Sequence, residues 1–345
     1  MNELIEKIKE ISPKSILVVT GNKSYLKSSF ISELDVLKEN YNLQMWRYKK
    51  SYPDFNEIDT FIENNKINFD LIISYGGGTV IDVSKLISIS NNFNFFDEVF
   101  NNEKIKTSIK HLCIPTTFGS GSESTSFAVL YKDKLKYSIQ SSLIIPNDII
   151  LNYKYTLNLN GKVSYCSILD SFCQSIESLW SINSTLESSE YALQSIKIIS
   201  RILNNINSLS DSDRENLLVA SNLSGKAINI TKTTAPHAFS YYLTINHNIC
   251  HGEAVSILFE KFIDLNFDHI IKHNQKEIFK YLDLNDKNDF ILLFKNLKSK
   301  IGFKTSLKEI DNLNIDEYSK SINHERLKNN PVKLIPKDII YDSLH

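Results

Sequence analysis

The sequence predicts an α/β domain built on a parallel sheet, followed by an all-helical domain, and three observations predict it. Its 345 residues exceed the size at which one hydrophobic core usually stops growing. Over residues 1–154, short β-branched runs alternate with helical periodicities, the pattern of βαβ units. From residue 155 to 345 the texture changes to long 3.6-residue periodicities, which read as helices alone. Ligands of such two-domain chains bind outside the carboxyl ends of the strands, so a cleft between the domains is expected.

Each element follows from its pattern. Leu4, Ile5, Ile8 and Ile11 share one helical face among charges, which is no secretory signal. Residues 15–20 read as a strand ending at Gly21 and Asn22, and residues 43–48 as a second one. A helix over 58–65 leads to a buried strand over 69–75, which runs into Gly76, Gly77 and Gly78. A further strand spans 111–115, a hairpin joins 127–131 to 136–139 around Lys132, Asp133 and Lys134, and the sheet ends near 149–151. Helices are expected over 163–181, 188–205, 213–228 and 255–262.

A hydrophobic fraction of 42%, a charged fraction of 23% and a formal net charge of -1 give no electrostatic case for nucleic acid or acidic membranes. No apolar run approaches the ~18 residues of a membrane span, so a cytoplasmic location is expected. Cys113, Cys166, Cys173 and Cys250 lack metal-type spacing and are expected to be buried thiols.

Three segments carry chemistry. Gly76-Gly77-Gly78-Thr79 up to Asp82 and Lys85 sits between a strand and a helix. There backbone amides and a helix N-terminus can receive a pyrophosphate, although a tight turn without ligand has the same appearance. Thr116, Thr117, Gly119, Ser120, Ser122 and Glu123 follow the next strand; their hydroxyls and amides suit ribose and phosphate oxygens, and Ser122-Glu123 can open a helix. Asp170 and Gln174, four apart on a helix, share a face; with His237 after Pro236 and His251 before Gly252 they can supply a mixed N/O set for Zn²⁺ or Fe²⁺, although a surface Asp, a capping Gln and two core or surface histidines have the same appearance.

These residues resemble the iron-containing (group III) alcohol dehydrogenases. The glycine run is similar to their GGGS-x-x-D-x-(A/S)-K signature, and residues 114–125 to their PTT-x-G-T-G-S-E-x-T segment. Asp170-x-x-x-Gln174-x-Ile176-Glu177 resembles the metal helix, and Asn323, Arg326, Asn329, Asn330 and Pro331 resemble a closing I-N-x-x-R-x-x-N-N-P motif. The resemblance implies a Rossmann-like domain with NADPH or NADH held by Gly21, Gly76, Gly77, Gly78, Asp82, Thr116, Thr117, Ser120 and Lys136. It also implies a divalent metal on Asp170, Gln174, His237 and His251, and metal-assisted hydride transfer to a small aldehyde in a homodimer or larger homo-oligomer.

Three departures sharpen the expectation. Gln174 stands in place of a histidine ligand and Tyr241 in place of a histidine proposed to relay a proton. Gly21 stands where NAD-preferring members carry an aspartate; with Asn22 and Lys23 beside it, NADPH is favoured. The segments around Trp180 and Lys232 resemble the branch that reduces phosphonoacetaldehyde to 2-hydroxyethylphosphonate, with Lys232, Thr233, Thr234 and Ser240 as candidates for the phosphonate and Lys232 and Tyr241 as catalytic candidates. The alternatives are another small phosphorylated or polyol carbonyl, a lyase like dehydroquinate synthase, and a metal-free homologue without activity.

Overall fold

Period-two alternation decides how the sheet is covered. The computed structural model describes residues 3–22, 24–65, 67–90, 94–95, 99–133, 135–159 and 161–344; Lys23 and Lys134, named above, lie outside the described residues. Its strands are β1 Ser15–Gly21, β2 Asn42–Tyr48, β3 Leu71–Gly76, β4 Lys110–Pro115, β5 Phe127–Lys132, β6 Leu135–Gln140 and β7 Asp148–Ile149. Five form a wholly parallel sheet in the order β2-β1-β3-β4-β7, and β5 and β6 pair as the expected antiparallel hairpin.

The central strands are buried on both faces, as helix-covered parallel sheets require. Ile16, Val18, Leu71, Ile73, Leu112 and Ile114 pack on helices α1 Glu3–Ile11 and α2 Phe30–Asn40 through Leu4, Ile8, Phe30 and Leu34. Leu17, Val19 and Ile72 face the other way, onto α3 Phe55–Asn65, α4 Gly78–Ser88 and the hairpin. The strand order reverses between β1 and β3, whose Thr20 and Tyr75 are in register. Gly21 and Gly76 therefore end neighbouring strands at the switch point where such sheets bind ligands.

The second half is helical throughout the described residues. Its helices are α5 Gly161–Trp180, α6 Leu186–Ser200, α7 Asp211–Thr231, α8 Ala235–His247, α9 His251–Ser256, α10 Phe259–Asn266, α11 Lys272–Leu282, α12 Lys287–Lys300, α13 Ile315–Ser321, α14 His324–Leu327 and α15 Pro336–Leu344. Helix α5 is buried nearly all round from Ser164 to Trp180, which makes it the central element. Helices α6 and α7 start with capping boxes, Thr185 with Ser188 and Ser210 with Asp213, each worth about 1 kcal/mol.

The structure corrects several expectations. The chain divides into two compact units, residues 1–117 with 121–159 and residues 118–120 with 160–345. Residues 118–120 join the second unit because Gly119 packs on α5, where a Cβ would lie 3.0 Å from Ser167 Cα. Ser122–Ser124 forms a single 3₁₀ turn, since Thr125 is already extended. The helix expected over 188–205 ends at Ser200 and gives way to a 3₁₀ turn, Leu203–Asn205. The helix expected over 255–262 is broken at Ile257 and Leu258. Buried Lys298 explains the break: its Nζ donates to the carbonyls of Ser256 at 3.0 Å and Ile257 at 3.4 Å and to Glu260 Oε2 at 2.7 Å. No helix of the described residues is long and apolar enough to cross a membrane.

Candidate metal and cofactor residues

In the first unit the glycine turn is set by packing. A Cβ on Gly76 would lie 2.6 Å from Val80 Cγ2, so β3 can enter α4 this tightly only at a glycine. Gly77 caps α4, and its carbonyl receives the amides of Val80 and Ile81. The earliest amides of α4 are left at its N-terminus, the arrangement that receives a phosphate. Thr116 joins this turn through its amide on the Gly76 carbonyl at 3.0 Å, and the Thr117 side chain lies against Gly77. Gly21, Gly76, Gly77, Gly78, Thr116 and Thr117 are thus brought together, while Ser120 belongs to the second unit.

Asp82 holds neighbouring backbone and side chain of its own unit. Its Oδ1 accepts from Ser122 Oγ and its Oδ2 from the Val129 amide at 3.0 Å. Lys85 Nζ, 3.9 Å from Asp82, donates to Thr125 O at 2.9 Å, Thr125 Oγ1 at 2.8 Å and Phe127 O at 3.0 Å. Burial pushes the Asp82 carboxyl up and the Lys85 ammonium down, each opposed by the other's charge. The pair faces inward and fastens residues 122–129 to α4. Lys136 on β6 contributes its charge towards Asp82.

In the second unit, α5 presents Asp170, Gln174 and Glu177 on one face. Pro236 at the start of α8 and the turn before α9 bring His237 and His251 to it. Asp170, His237 and His251 each offer a ligand atom, all within 4.8 Å of one another. His237 Nε2 lies 3.2 Å and His251 Nε2 3.8 Å from Asp170 Oδ1. His251 reaches the site because Gly252 lets α9 touch α5, where a Cβ would sit 1.9 Å from the Cys166 carbonyl oxygen.

Glu177, whose signal was its position seven residues after Asp170, supports this set although the metal reading left it out. It is fully buried; Oε1 meets His237 Nδ1, while Oε2 accepts from the Thr234 amide at 2.7 Å and Thr234 Oγ1 at 2.8 Å. Trp180 Nε1 donates to the same hydroxyl at 2.8 Å. A carboxylate on Nδ1 holds the N–H there and turns Nε2 to Asp170, the orientation that metal-ligating histidines require once a cation displaces the Nε2 proton. Burial alone would lower the His237 pKa; the carboxylates of Glu177 and Asp170 outweigh it and raise it to about 9. Burial likewise opposes the Asp170 charge, but His251 and His237 hold its carboxyl below the usual range.

Gln174 bridges α5 and α7 through its amide. Its Nε2 donates to Asp170 Oδ1 at 3.1 Å and its Oε1 accepts from Ser224 Oγ at 3.1 Å, so the amide oxygen faces α7. Lys232, the last-turn cap of α7 at φ 60, turns its Nζ back to the Asn229 carbonyl at 3.4 Å. Thr234 is engaged by Glu177, and Ser240 Oγ donates to the His237 carbonyl at 2.8 Å. Tyr241 stacks parallel to the His251 ring, centroids 6.1 Å apart, with Arg326 and Thr233 among the groups near its hydroxyl. Burial pushes its phenol up, with the Arg326 charge pulling the other way.

The cysteines differ from expectation. Cys113 and Cys173 are buried thiols, but Cys166 and Cys250 form a disulfide, brought together where α9 meets α5 at Gly252.

Comparison with known proteins gives a consistent setting. Residues 1–153 match the family described as iron-containing alcohol dehydrogenase, and residues 165–341 match the Fe-containing alcohol dehydrogenase family, C-terminal. The chain is 27% identical to phosphonoacetaldehyde reductase of Streptomyces viridochromogenes over 217 residues, 58% of this chain and 54% of that one. It is 29% identical to sulfoacetaldehyde reductase of Bilophila wadsworthia over 193 residues, 54% of this chain and 50% of that one. The chain thus spans about half the length of these two reductases. The iron-containing alcohol dehydrogenase of Thermotoga maritima superposes with a TM-score of 0.85 at 24% identity, covering 99% of this chain and 95% of that one.

Proposed function

The chain belongs to the iron-containing alcohol dehydrogenase family, and on that premise we propose that it is a metal-dependent, NAD(P)H-linked reductase of a small aldehyde carrying an oxyanion headgroup, phosphonoacetaldehyde foremost. The observation that carries this reading is the convergence of Asp170, His237 and His251 with Glu177 fixing the His237 ring.

The donor set fits a divalent cation: one carboxylate and two imidazoles suit Fe²⁺ or Zn²⁺. When bound, that cation supplies Lewis acidity to the carbonyl oxygen and the reduced nicotinamide supplies the hydride. The chain's own residues do the rest. Glu177 orients His237, and Gln174 donates to Asp170 and steadies its carboxylate. Tyr241, kept neutral by burial, holds a proton at Oη as the donor for the product alcohol's oxygen. The α4 amides after Gly76, Gly77 and Gly78 take the cofactor's pyrophosphate, with Thr116 and Thr117 beside them and Ser120 and Lys136 as further contacts. Gly21 brings no carboxylate to the end of β1, which supports NADPH over NADH. A homo-oligomeric, cytoplasmic enzyme completes the reading.

The similarity to reductases of phosphonoacetaldehyde and sulfoacetaldehyde supports a charged two-carbon aldehyde over a neutral one. Family membership argues against the lyase, and the three converging ligand atoms of Asp170, His237 and His251 against a metal-free homologue. The test measures NADPH and NADH oxidation by Fe²⁺- or Zn²⁺-loaded protein with phosphonoacetaldehyde, sulfoacetaldehyde, propanal, lactaldehyde and dihydroxyacetone phosphate. A preference of about a hundredfold for a charged two-carbon aldehyde, roughly 2.7 kcal/mol at the transition state, supports the reading. Equal or faster turnover of propanal discards the substrate, and no oxidation with any of them discards the activity.

A further inference from the structure

The helices that bring Asp170 and His251 together are joined by more than packing. Cys250 is the N-cap of α9, one residue before His251, and Cys166 lies one helical turn before Asp170 on α5. The disulfide between them therefore ties the segment that carries one candidate ligand to the helix that carries another. It spans 84 residues of sequence with Cα atoms 6.5 Å apart, inside the range that a disulfide bridges.

The surroundings hold both sulfurs in place without the bond. Gly252 lets α9 lie so close to α5 that a Cβ there would sit 1.9 Å from the Cys166 carbonyl oxygen. Buried Glu253 anchors the first turn of α9: its Oε1 accepts from the Lys304 amide at 3.1 Å, and its Oε2 lies 3.3 Å from Lys162 Nζ. The same Oε2 is 3.7 Å from Cys250 Sγ and can accept its S–H when the bond is open. A pair positioned by its neighbours can open and close without unfolding the chain. Exposure gives the two sulfurs different tasks, since Cys250 is half-buried and Cys166 buried, so an oxidant in solution meets Cys250 first. Cys113 and Cys173 are fully buried, and burial pushes both thiols up, which leaves them unreactive.

We propose that Cys166 and Cys250 are a reversible thiol–disulfide site that clamps the metal-binding residues, closed by a peroxide and opened by a reductant. The assignment rests on the metal reading above. In the cytoplasmic setting of that reading the pair rests as two thiols. A peroxide such as hydrogen peroxide converts the Cys250 S–H to a sulfenic acid, S–OH, with release of water. The Cys166 sulfur then attacks the Cys250 sulfur, the S–O bond breaks, and the hydroxyl leaves with the Cys166 proton as a second water. Two electrons pass from the sulfurs to the peroxide oxygens, and a dithiol or a phosphine returns them. The ligand atoms of Asp170, His237 and His251 converge with the bond in place, so the closed form is the one that holds a cation more tightly.

The experiment takes full-length, Zn²⁺-loaded protein reduced with tris(2-carboxyethyl)phosphine, treats it with one equivalent of hydrogen peroxide, and then reduces it again. At each stage the reagent is removed and two quantities are read. Mass spectrometry of the alkylated digest counts thiols and locates any link, and chelator competition gives the Zn²⁺ affinity. Peroxide should take the chain from four thiols to two by joining the peptides of Cys166 and Cys250, and phosphine should restore all four. The closed form should bind Zn²⁺ about tenfold more tightly than the open form, the lower end of what a support behind a metal ligand contributes. Cys166→Ser and Cys250→Ser should bind Zn²⁺ as the open form does after either treatment, and the comparison within wild type stands should a variant fail to fold.

No Cys166–Cys250 link after peroxide, or oxidation of Cys250 to an acid that phosphine does not reverse, would overturn the site. A link that forms and leaves Zn²⁺ affinity unchanged or weaker would overturn the clamp. A wild type that holds no Zn²⁺ in either form overturns the metal reading and the clamp with it; the link, read by mass, tells that failure from failure of the site.

Discussion

Each unit buries a cluster of charged side chains, and the two clusters are built in opposite senses. In the first, Asp82, Lys85, Ser122 and Thr125 satisfy one another, and the bonds of the carboxylate and the ammonium point inward. In the second, Glu177 is surrounded by its own donors, yet Asp170, His237 and His251 aim their ligand atoms at one another within 4.8 Å. Two carboxylates and two imidazoles gathered this closely form a receptive cluster, because a divalent cation can replace a shared proton among them. The first cluster holds a loop in place; the second is suited to hold a metal.

Four changes would break or sharpen this contrast. The largest effect is expected from His251→Ala, which removes a ligand from the receptive cluster. Turnover should fall by at least about a thousandfold, a loss of roughly 4 kcal/mol, while NADPH binding, followed by fluorescence titration, stays near the wild-type value. Retained turnover would dissolve the distinction.

In the closed cluster the loss should appear as stability instead. Lys85→Met leaves the buried Asp82 charge uncompensated and should cost about 3–5 kcal/mol in urea unfolding. The double variant Asp82→Asn with Lys85→Met should recover much of that, and an equally unstable double variant would mean that the pair is not the coupled unit described.

Glu177→Gln tests the support behind the receptive cluster. Loss of the charged partner of His237 Nδ1 should weaken metal binding by about 10–100-fold, read by chelator competition, with little change in unfolding. Unaltered affinity would reduce Glu177 to a clamp on Thr234.

The smallest effect is a slope. His111 is buried beneath Lys85 with Nε2 on Ser74 Oγ, and burial first, the Lys85 charge second, lowers its pKa from 6.5 to about 3. Below pH 6.5 the unfolded chain takes up a proton that the native state refuses until about pH 3, so stability is full above 6.5 and declines as pH falls through that window. The slope from this residue approaches about 1.4 kcal/mol per pH unit. His111→Gln should flatten the acid limb of stability against pH by about one proton relative to wild type, and parallel limbs would contradict the assignment.

What was legible in the sequence was whatever depends on period or on neighbours in the chain. Short β-branched runs such as Ile16, Leu17, Val18 and Val19, alternating with helical patterns, exposed the parallel sheet, and the four-residue step from Asp170 to Gln174 exposed one shared face of α5. What escaped depends on distant partners. The break before α10 needs Lys298, 42 residues after Ser256, and the inward turn of Asp82 needs Ser122, 40 residues on. Which way the Gln174 amide faces is settled by Ser224 on α7, and the Cys166–Cys250 disulfide by how closely Gly252 lets α9 approach α5.

The most direct test of the central claim is a Zn²⁺ titration of the full chain by equilibrium dialysis, beside the His237→Ala variant. The account predicts one tightly held ion per chain in the wild type and at least about a hundredfold weaker binding in the variant, since His237 is a direct ligand backed by Glu177. Equal binding by the two proteins, or none by either, would contradict it.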